Sequence, residues 1–372
     1  MNAKTELTYP YDQHPEPGTT QELAPGVFWV CMPMPGSLSH INLYLLEDHD
    51  GWFVVDTGLP MPNVNELWQQ VFSNCLGGKP VKGVICTHMH PDHIGQAGNI
   101  TEQFQCPLYM TRAEYYQARS FSNNGGGHHH SSWIGQQFYV RAGMPLSYLE
   151  ELAEMWSKRS SDGMSMPTMP SGYERLQHGQ TLDIGGRRWQ VLVGSGHSPE
   201  HACLYCAELN MLISGDQILP IITSNVSVHP TESNANPLKD WMESLDRFLE
   251  TPADTFVLPA HNLPFYGVRN RLRELIDHHE DRLLAVEEAC AIKPHNAREL
   301  LPVLFARELD ARQMMMALGE AIAHVHLLLH RNRLERTLDS EGCYQFTSID
   351  PDLARRAHPD DHNAPSDGPV LV

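Results

Sequence analysis

The hydrophobic and polar positions of this chain follow two alternating patterns, which predict strands interleaved with helices. Apolar and aromatic runs at 26–35, 41–48 and 51–58 are separated by Gly, Pro and Asp, as is typical of successive strands. Residues 63–76 then place apolar side chains at helical spacing, and residues 81–87 form a continuous apolar run of the buried-strand kind. This alternation indicates an α/β fold, with two sheets between helical layers (αββα).

The same alternation returns later in the chain. Strand-like runs at 187–196 and 202–216 precede an amphipathic helix at 237–250, and a further strand is predicted at 255–261. Polar residues follow several of these strands directly. In an α/β fold the functional side chains lie at such strand ends, so these residues are the first candidates for a site.

Between about 111 and 180 the pattern changes to helices, separated by a segment rich in Gly and His. We interpret this part as a helical insertion of the kind that can act as a lid. His128, His129 and His130 lie in it and are candidates for contact with a substrate.

From about 267 the pattern is largely helical, with predicted helices at 269–290, 296–305 and 311–336 before a hairpin at 337–349. Helices followed by a small hairpin suggest a winged-helix-like cap. The predicted division of the chain is a flexible tail at 1–21, a catalytic domain at 22–266 that includes the insertion, a C-terminal domain at 267–350 and a disordered tail at 351–372.

Composition adds the class of protein. The chain has 372 residues, of which 41% are hydrophobic and 19% charged, and no apolar run approaches the roughly 18 residues of a membrane span. The polar N-terminus has no apolar signal core, and of the eight cysteines only Cys203 and Cys206 form a C-x-x-C pair. An offset of three places these two thiols on opposite faces of a strand, so we expect buried, unpaired thiols and a cytoplasmic protein without membrane contact.

The charge balance bears on partners. Twenty-six basic and 45 acidic residues give a net charge of −19, whereas proteins that bind nucleic acid backbones usually present a basic surface. Residues 295–340 balance six Arg against six acidic residues and contain no Lys. We therefore expect the cap to serve packing or formation of a homodimer, and we expect no nucleic acid partner.

The highest density of potential metal-binding side chains occurs in the sequence THMHPDHIGQ, residues 87–96, directly after a predicted buried strand. It holds His88, His90, Asp92 and His93 within six positions. A catalytic zinc ion takes three protein ligands and a water molecule, so four donors are too many for one ion and too few for two. Further ligands must come from elsewhere in the chain.

Three other residues of suitable type follow apolar runs. His197 ends the strand of VLVGSGH, Asp216 ends MLISGD, and His261 ends TFVLPAH. Each is expected at the edge where an α/β sheet presents its site.

Together these residues resemble the metallo-β-lactamase superfamily, with Asp56 in DTG, then HMHPDH, then His, Asp and His in that order. The resemblance covers about residues 22–266. It implies that His88, His90 and His197 bind one metal and that Asp92, His93 and His261 bind a second, with Asp216 bridging the two. It implies that Asp56 supports the ligands without touching metal, and His201 is a candidate for a similar role.

Individual residues indicate which branches of the superfamily the chain resembles. Asp216 stands where β-lactamases of the superfamily tend to have Cys or Ser, as in members that resemble glyoxalase II, lactonases and tRNA-processing enzymes. His90 is not Glu, which disfavours the flavodiiron pattern. Neither the G-x-S-x-G motif of serine hydrolases nor a P-loop sequence occurs, so these two classes of protein lack their motifs here.

The expected function is that of a dinuclear hydrolase that uses a metal-bridging hydroxide, with Asp92 both binding metal and orienting the nucleophile. Imidazole and carboxylate ligands favour zinc, although iron or manganese suits the same set. The expected substrate is a small thioester or ester. The alternatives are an RNA nuclease, a lactonase, a persulfide dioxygenase with one iron, and a metal-bound binding module without turnover.

Overall fold

The computed structural model of the protein describes residues 7–36, 38–123, 132–159 and 167–350. The predicted substrate contacts His128, His129 and His130 lie outside these ranges, as does the C-terminal segment 351–372.

Strands make up most of the first two thirds of the described chain. They are, in chain order, β1 (Thr20–Ala24), β2 (Val27–Pro33), β3 (His40–Glu47), β4 (Trp52–Val55), β5 (Val81–Ile85), β6 (Leu108–Met110), β7 (Glu174–Arg175), β8 (Thr181–Ile184), β9 (Arg187–Gly194), β10 (His201–Cys206), β11 (Met211–Gly215), β12 (Phe256–Pro259), β13 (Leu334–Leu338) and β14 (Tyr344–Ser348).

Helices are interleaved with these strands and dominate the C-terminal part. They are α1 (Pro62–Cys75), α2 (Pro91–Ile94), α3 (Ala97–Phe104), α4 (Arg112–Asn123), α5 (Trp133–Arg141), α6 (Leu146–Arg159), α7 (Pro237–Phe248), α8 (Val268–Ile292), α9 (Leu301–Leu304) and α10 (Ala311–His330), with a short 3-10 helix at Pro230–Glu232.

The strands form two large sheets and one hairpin. The larger sheet has seven strands in the order β1 to β7, antiparallel from β1 to β4 and parallel from β4 to β7. The second sheet has the order β12-β11-β10-β9-β8, in which only β11 and β12 run parallel. Strands β13 and β14 pair with each other.

The apolar runs are explained by strands that are buried on both faces. In β3, Leu43 and Leu45 pack in a cluster with Trp68 of α1, whereas Tyr44 packs among residues of the second sheet that include Trp189. Because successive side chains of a strand point to opposite faces, β3 needs apolar residues at nearly every position. The predicted α/β sandwich is confirmed: the two sheets share one core, and α1 and α3 cover the other face of the larger sheet.

The chain divides into two compact units. The first comprises residues 1–126, 161–221 and 246–272 and contains both large sheets. The second comprises residues 127–160, 222–245 and 273–372, and it contains α9, α10 and the β13–β14 hairpin. Part of the segment between 111 and 180 therefore belongs to the second unit together with the C-terminal helices.

Two of the predicted C-terminal helices are shorter than expected. The helix predicted to reach residue 336 ends at His330, because Asn332 adopts a positive φ of 53° and β13 begins two residues later. Of the helix predicted at 296–305 only Leu301–Leu304 forms, with Pro302 in its first turn. Proline is tolerated there because the first turn has no internal use for its missing N–H.

All eight cysteines are free thiols, and Cys203 and Cys206 are both buried. This confirms the expectation for the C-x-x-C pair. None of the helices in the described ranges combines the length and the apolar composition that crossing a bilayer would require.

Candidate metal centre

The sequence motif and the three distant residues meet at strand ends in the first unit. His88 and His90 follow β5, and Asp92 and His93 lie in the short helix α2, which Pro91 begins. His197 follows β9, Asp216 follows β11 and His261 follows β12. The structure thus brings all seven predicted ligands together, in two groups whose donor atoms lie within 4.8 Å of one another: His88, His90, His197 and Asp216 in the first, and Asp92, His93 and His261 in the second.

The first group consists of three imidazole nitrogens and one carboxylate oxygen. Nε2 of His88 lies 2.8 Å from Nδ1 of His90 and 3.2 Å from Nε2 of His197. Oδ2 of Asp216 lies 3.3 Å from Nε2 of His197 and 3.9 Å from Nε2 of His88. All four atoms therefore face one point.

The second group adjoins the first through Asp216. Oδ2 of Asp92 lies 3.5 Å from Nε2 of His93 and 3.4 Å from Nε2 of His261. Nε2 of His261 is 3.5 Å from Oδ1 of Asp216, and Nε2 of His93 is 3.6 Å from Oδ2 of the same carboxylate. Oδ2 of Asp216 thus faces the histidines of the first group and also His93, whereas Oδ1 faces His261.

These distances fit divalent cations. With zinc–ligand bonds of about 2.0–2.1 Å, neighbouring ligand atoms of a tetrahedral site are separated by roughly 3.3 Å. Imidazole lone pairs that face each other at such distances repel unless a proton or a cation lies between them. Nε2 of His93, moreover, is fully buried and has no hydrogen-bond partner among the described residues. The residues present therefore fit a bound metal.

Asp56 supports the second group from behind. Its Oδ2 accepts a hydrogen bond from Nδ1 of His93 at 2.8 Å, and its Oδ1 accepts one from the backbone N–H of Thr87 at 2.8 Å. Since Nδ1 of His93 donates to this carboxylate, its Nε2 presents a lone pair to the site. Asp56 is buried and has a positive φ of 60°, a conformation that Asp tolerates better than most residues.

His261 is oriented in the same way by the backbone. Its Nδ1 donates to the carbonyl oxygen of His40 at 3.1 Å, which leaves Nε2 for the site. The buried side chain of Asn42 donates to the carbonyl oxygens of Pro259 and Asn262, at 2.9 and 2.6 Å, and thereby holds the loop on both sides of His261.

His201 lies beside the donors without joining them. Its Nε2 accepts a hydrogen bond from the backbone N–H of Asp216 at 3.1 Å, and its ring stacks on that of His88 with centroids 4.7 Å apart. A Cβ at Gly215 would lie 2.5 Å from this ring, and Gly215 has a positive φ of 51°. Glycine is therefore required at this position for Asp216 to reach the site.

Sequence reasoning missed Glu114. Its buried carboxylate accepts the backbone N–H of Met89 at 2.9 Å and that of Glu200 at 2.8 Å, and so connects the loop of the first two histidines with the loop after His197. Glu114 lies in α4, 25 residues from Met89, in the segment that the sequence pattern assigned to the insertion. Glu114 is the one acidic residue of α4, and no spacing in the sequence relates it to the histidine motif.

Burial and charge set the protonation of the donors. Burial, together with the neighbouring histidines, lowers the pKa of His90 to about 3 and that of His88 well below its ordinary value. Burial alone would raise the pKa of Asp92, but His93 and His261 lower it to about 2. At neutral pH these imidazoles are therefore neutral and Asp92 is ionised, which is the form that binds metal.

The pKa of His93 moves in the other direction. Burial lowers it, but the carboxylates of Asp56, Asp92 and Asp216 together raise it well above its ordinary value. Three carboxylates around one buried imidazole call for positive charge, which a metal ion supplies in place of a proton.

Comparisons with known proteins agree with this geometry. The model of the Metallo-beta-lactamase superfamily matches residues 36–261, and that of the Metallo-beta-lactamase-like, C-terminal domain matches residues 283–349. A solved structure, a beta-lactamase domain protein from Burkholderia ambifaria, is 40% identical with a TM-score of 0.83, and the match covers 93% of this chain and 99% of that one.

Two curated relatives are more distant. A linear primary-alkylsulfatase from a Pseudomonas species is 23% identical over 66% of this chain and 45% of its own length. An acyl-coenzyme A thioesterase from Bos taurus is 24% identical over 53% of this chain and 65% of its own length. The match thus spans less than two thirds of either relative. Because the superfamily model covers more than half of the sequence and includes every predicted ligand, the chain belongs to the metallo-beta-lactamase superfamily.

Proposed function

We propose that the protein is a dinuclear zinc hydrolase that cleaves small thioesters or related acyl esters. One observation carries the proposal: the carboxylate of Asp216 lies between two complete groups of donors, with distances of 3.3–3.9 Å to imidazoles of both. A site for one ion would need only one of these groups.

The residues of the chain perform distinct tasks in this reaction. Zinc ions held by the two groups would supply a hydroxide at neutral pH and polarise the carbonyl of the substrate. His93 and His261 are held by Asp56 and by the carbonyl of His40, so their lone pairs do not have to reorient during turnover. Asp92 is the most exposed of the three carboxylates at the site, and its oxygen can orient the attacking water and accept its proton.

The balance of the reaction is that of acyl hydrolysis. The water oxygen forms a bond to the carbonyl carbon, and the bond from that carbon to the sulfur or oxygen of the leaving group breaks. The leaving group takes the electron pair of that bond, and a proton from the water passes to it. The products are a carboxylate and a thiol or an alcohol, and the second proton of the water passes to solvent.

The charges around the donors favour an acyl substrate over a sulfate ester or a phosphodiester. Among the described residues, no hydrogen bond or ion pair of five of the ligands involves Lys or Arg; these are His88, His90, Asp92, His93 and His261. The reacting centre of a sulfate or phosphate ester carries a negative charge, for which proteins commonly supply guanidinium or ammonium groups. A neutral carbonyl needs no such group, and the thioesterase among the relatives supports this choice.

The experiment is a substrate panel on zinc-loaded protein: butyryl-coenzyme A, p-nitrophenyl butyrate, a γ-lactone, dodecyl sulfate at submicellar concentration, and a short single-stranded RNA. We expect the highest kcat/KM on the thioester or the ester and no consumption of oxygen. The Asp216→Asn variant should lose at least about a hundredfold in rate, since one oxygen of the bridging carboxylate is replaced by an amide nitrogen.

The matched control is Asp183→Asn, an exposed aspartate of β8 in the same unit, whose rate should equal that of the wild type. Preferred cleavage of the sulfate ester or of RNA, or oxygen uptake with a persulfide, would contradict the proposal. A protein that retains metal but turns over none of these substrates would identify a binding module instead.

A further inference from the structure

The second unit contains a cavity that has no part in the metal centre. It measures about 250 Å³ and lies between α5, α10, the β13–β14 hairpin and the segment around residue 233. None of the seven metal ligands lines it. Its apolar wall is formed by Phe138, Ala142, Ala297, Ile322 and Phe346.

Two guanidinium groups that line this cavity each lie over the ring of Tyr344. The guanidinium carbon of Arg336 lies 4.3 Å from the ring centroid and that of Arg141 lies 5.2 Å from it. Both arginines and the tyrosine line the cavity. Arg336 belongs to β13, where it pairs with Phe346 of β14, and Arg141 ends α5, so the hairpin and a separate helix each supply one of the two charges.

Neither of these arginines is neutralised by a carboxylate of the described chain. Two arginines a few residues before Arg336 show the contrast. Arg331 forms an ion pair with Glu280 at 2.8 Å, and Arg333 forms one with Glu287 at 2.7 Å. Within the described ranges no ion pair of Arg141 or Arg336 is found. Two like charges on one aromatic ring leave a positive potential in the cavity.

This potential reaches a third residue of the lining. Burial lowers the pKa of His326, and the charge of Arg336 lowers it further, although a hydrogen bond with the carbonyl oxygen of Ala235 opposes both. Nδ1 of His326 lies 2.8 Å from that oxygen and donates to it. His326 is therefore neutral at physiological pH and leaves the positive charge of the cavity to the two arginines.

We propose that this cavity binds a small organic acid, with its carboxylate at Arg141 and Arg336 and its apolar body against the wall that includes Phe138 and Ile322. Guanidinium groups match the planar geometry of a carboxylate with two parallel hydrogen bonds. Gln137, Ser233 and Asn234 at the lining can bind the remaining lone pairs. A bare inorganic anion leaves the apolar wall in contact with water, and a neutral apolar molecule leaves the two charges without a counterion.

Calorimetric titration of the full-length protein with octanoate tests this proposal, with octanol and inorganic phosphate as probes of the apolar and the charged part alone. We expect octanoate to bind at least tenfold more tightly than either. We also expect Arg336→Gln and Arg141→Gln each to weaken octanoate binding by about tenfold or more, as the loss of a hydrogen bond to a charged group implies.

Arg175→Gln is the matched control, because Arg175 is an exposed arginine of the first unit. It should bind octanoate as the wild type does. Circular dichroism verifies that each variant folds, and Arg141→Lys, which keeps the charge and loses the planar fork, gives an intermediate affinity if the carboxylate is bound as proposed. No binding of octanoate by the wild type, binding by both Gln variants as tight as that of the wild type, or binding of phosphate or octanol as tight as that of octanoate would each overturn the proposal. None of these readouts depends on hydrolysis, so the outcome is independent of the proposed function.

Discussion

Asp216 and His201 lie side by side, yet the structure gives them different tasks. Asp216 faces both groups of donors, whereas His201 belongs to neither group and accepts the backbone N–H of Asp216. We therefore expect Asp216→Ala to reduce kcat/KM by at least about a hundredfold with loss of bound metal, and His201→Ala to reduce it by roughly tenfold with the metal retained. Steady-state kinetics with elemental analysis of both variants measures this difference. Equal losses of rate and metal would show that Asp216 does not bridge.

Glu114 offers a test of how the loops are held. The carboxylate of Glu114 accepts hydrogen bonds from the backbone N–H groups of Met89 and Glu200. In Glu114→Gln one carboxylate oxygen becomes an amide NH2, which cannot accept, so one of these two hydrogen bonds is lost. We expect zinc affinity to fall by about 10–100-fold, as for other residues that orient metal ligands. Competition with a chelator measures the affinity.

Glu66→Gln, at an exposed position of α1, is the control for this substitution and should leave zinc affinity unchanged. An unchanged affinity in Glu114→Gln as well would show that the contact is dispensable for metal binding.

At the scale of elements, α10 carries a buried acid whose ionisation opposes folding. Burial raises the pKa of Glu320 to about 7, although Arg282 and the amide of Asn225 act in the opposite direction. The folded state holds this proton more tightly than the unfolded state, where the pKa is about 4.5. The stability contribution of Glu320 is therefore complete below pH 4.5 and is lost as the pH rises through about 7, by about 3 kcal/mol in total.

The Glu320→Gln variant isolates this effect from the buried histidines His279 and His324, which stay neutral when folded and destabilise the protein as the pH falls. We expect the variant to match the wild type near pH 5 and to unfold at higher urea concentration at pH 8. Glu335→Gln, exposed on β13, should differ from the wild type at neither pH. A Glu320→Gln difference of equal size at both pH values would contradict this account.

The elements also show how far the sequence leads. Helix α8 was predicted at 269–290 and spans Val268–Ile292, because its apolar spacing is uninterrupted. The end of α10 was missed because residues 331–336 continue a helical composition, and only the positive φ of Asn332 ends the helix. The seven donors could be predicted since each follows an apolar run, but the contact of Glu114 with Met89 depends on the packing of α4, which no local pattern encodes.

At the scale of the whole molecule, charge argues against a nucleic acid partner. The net charge of −19 repels a phosphate backbone, and the gain from counterion release requires contacts with Lys or Arg. We propose that the C-terminal helices and hairpin instead serve packing or assembly of a homodimer. We expect no binding of duplex DNA below about micromolar concentration at physiological salt, which fluorescence anisotropy measures, and a dimer in analytical ultracentrifugation. Sub-micromolar DNA binding would contradict the first expectation, and a monomer would contradict the second.

We propose that one chain holds two metal ions through seven residues, with Asp216 between them. Elemental analysis of protein loaded with zinc and freed of excess metal tests it most directly, for the wild type and for His261→Ala. We predict close to two zinc ions per wild-type chain and close to one in His261→Ala, in which the second group loses a donor while the first remains complete. One zinc ion per wild-type chain, with no further loss in His261→Ala, would show that the second group holds no metal.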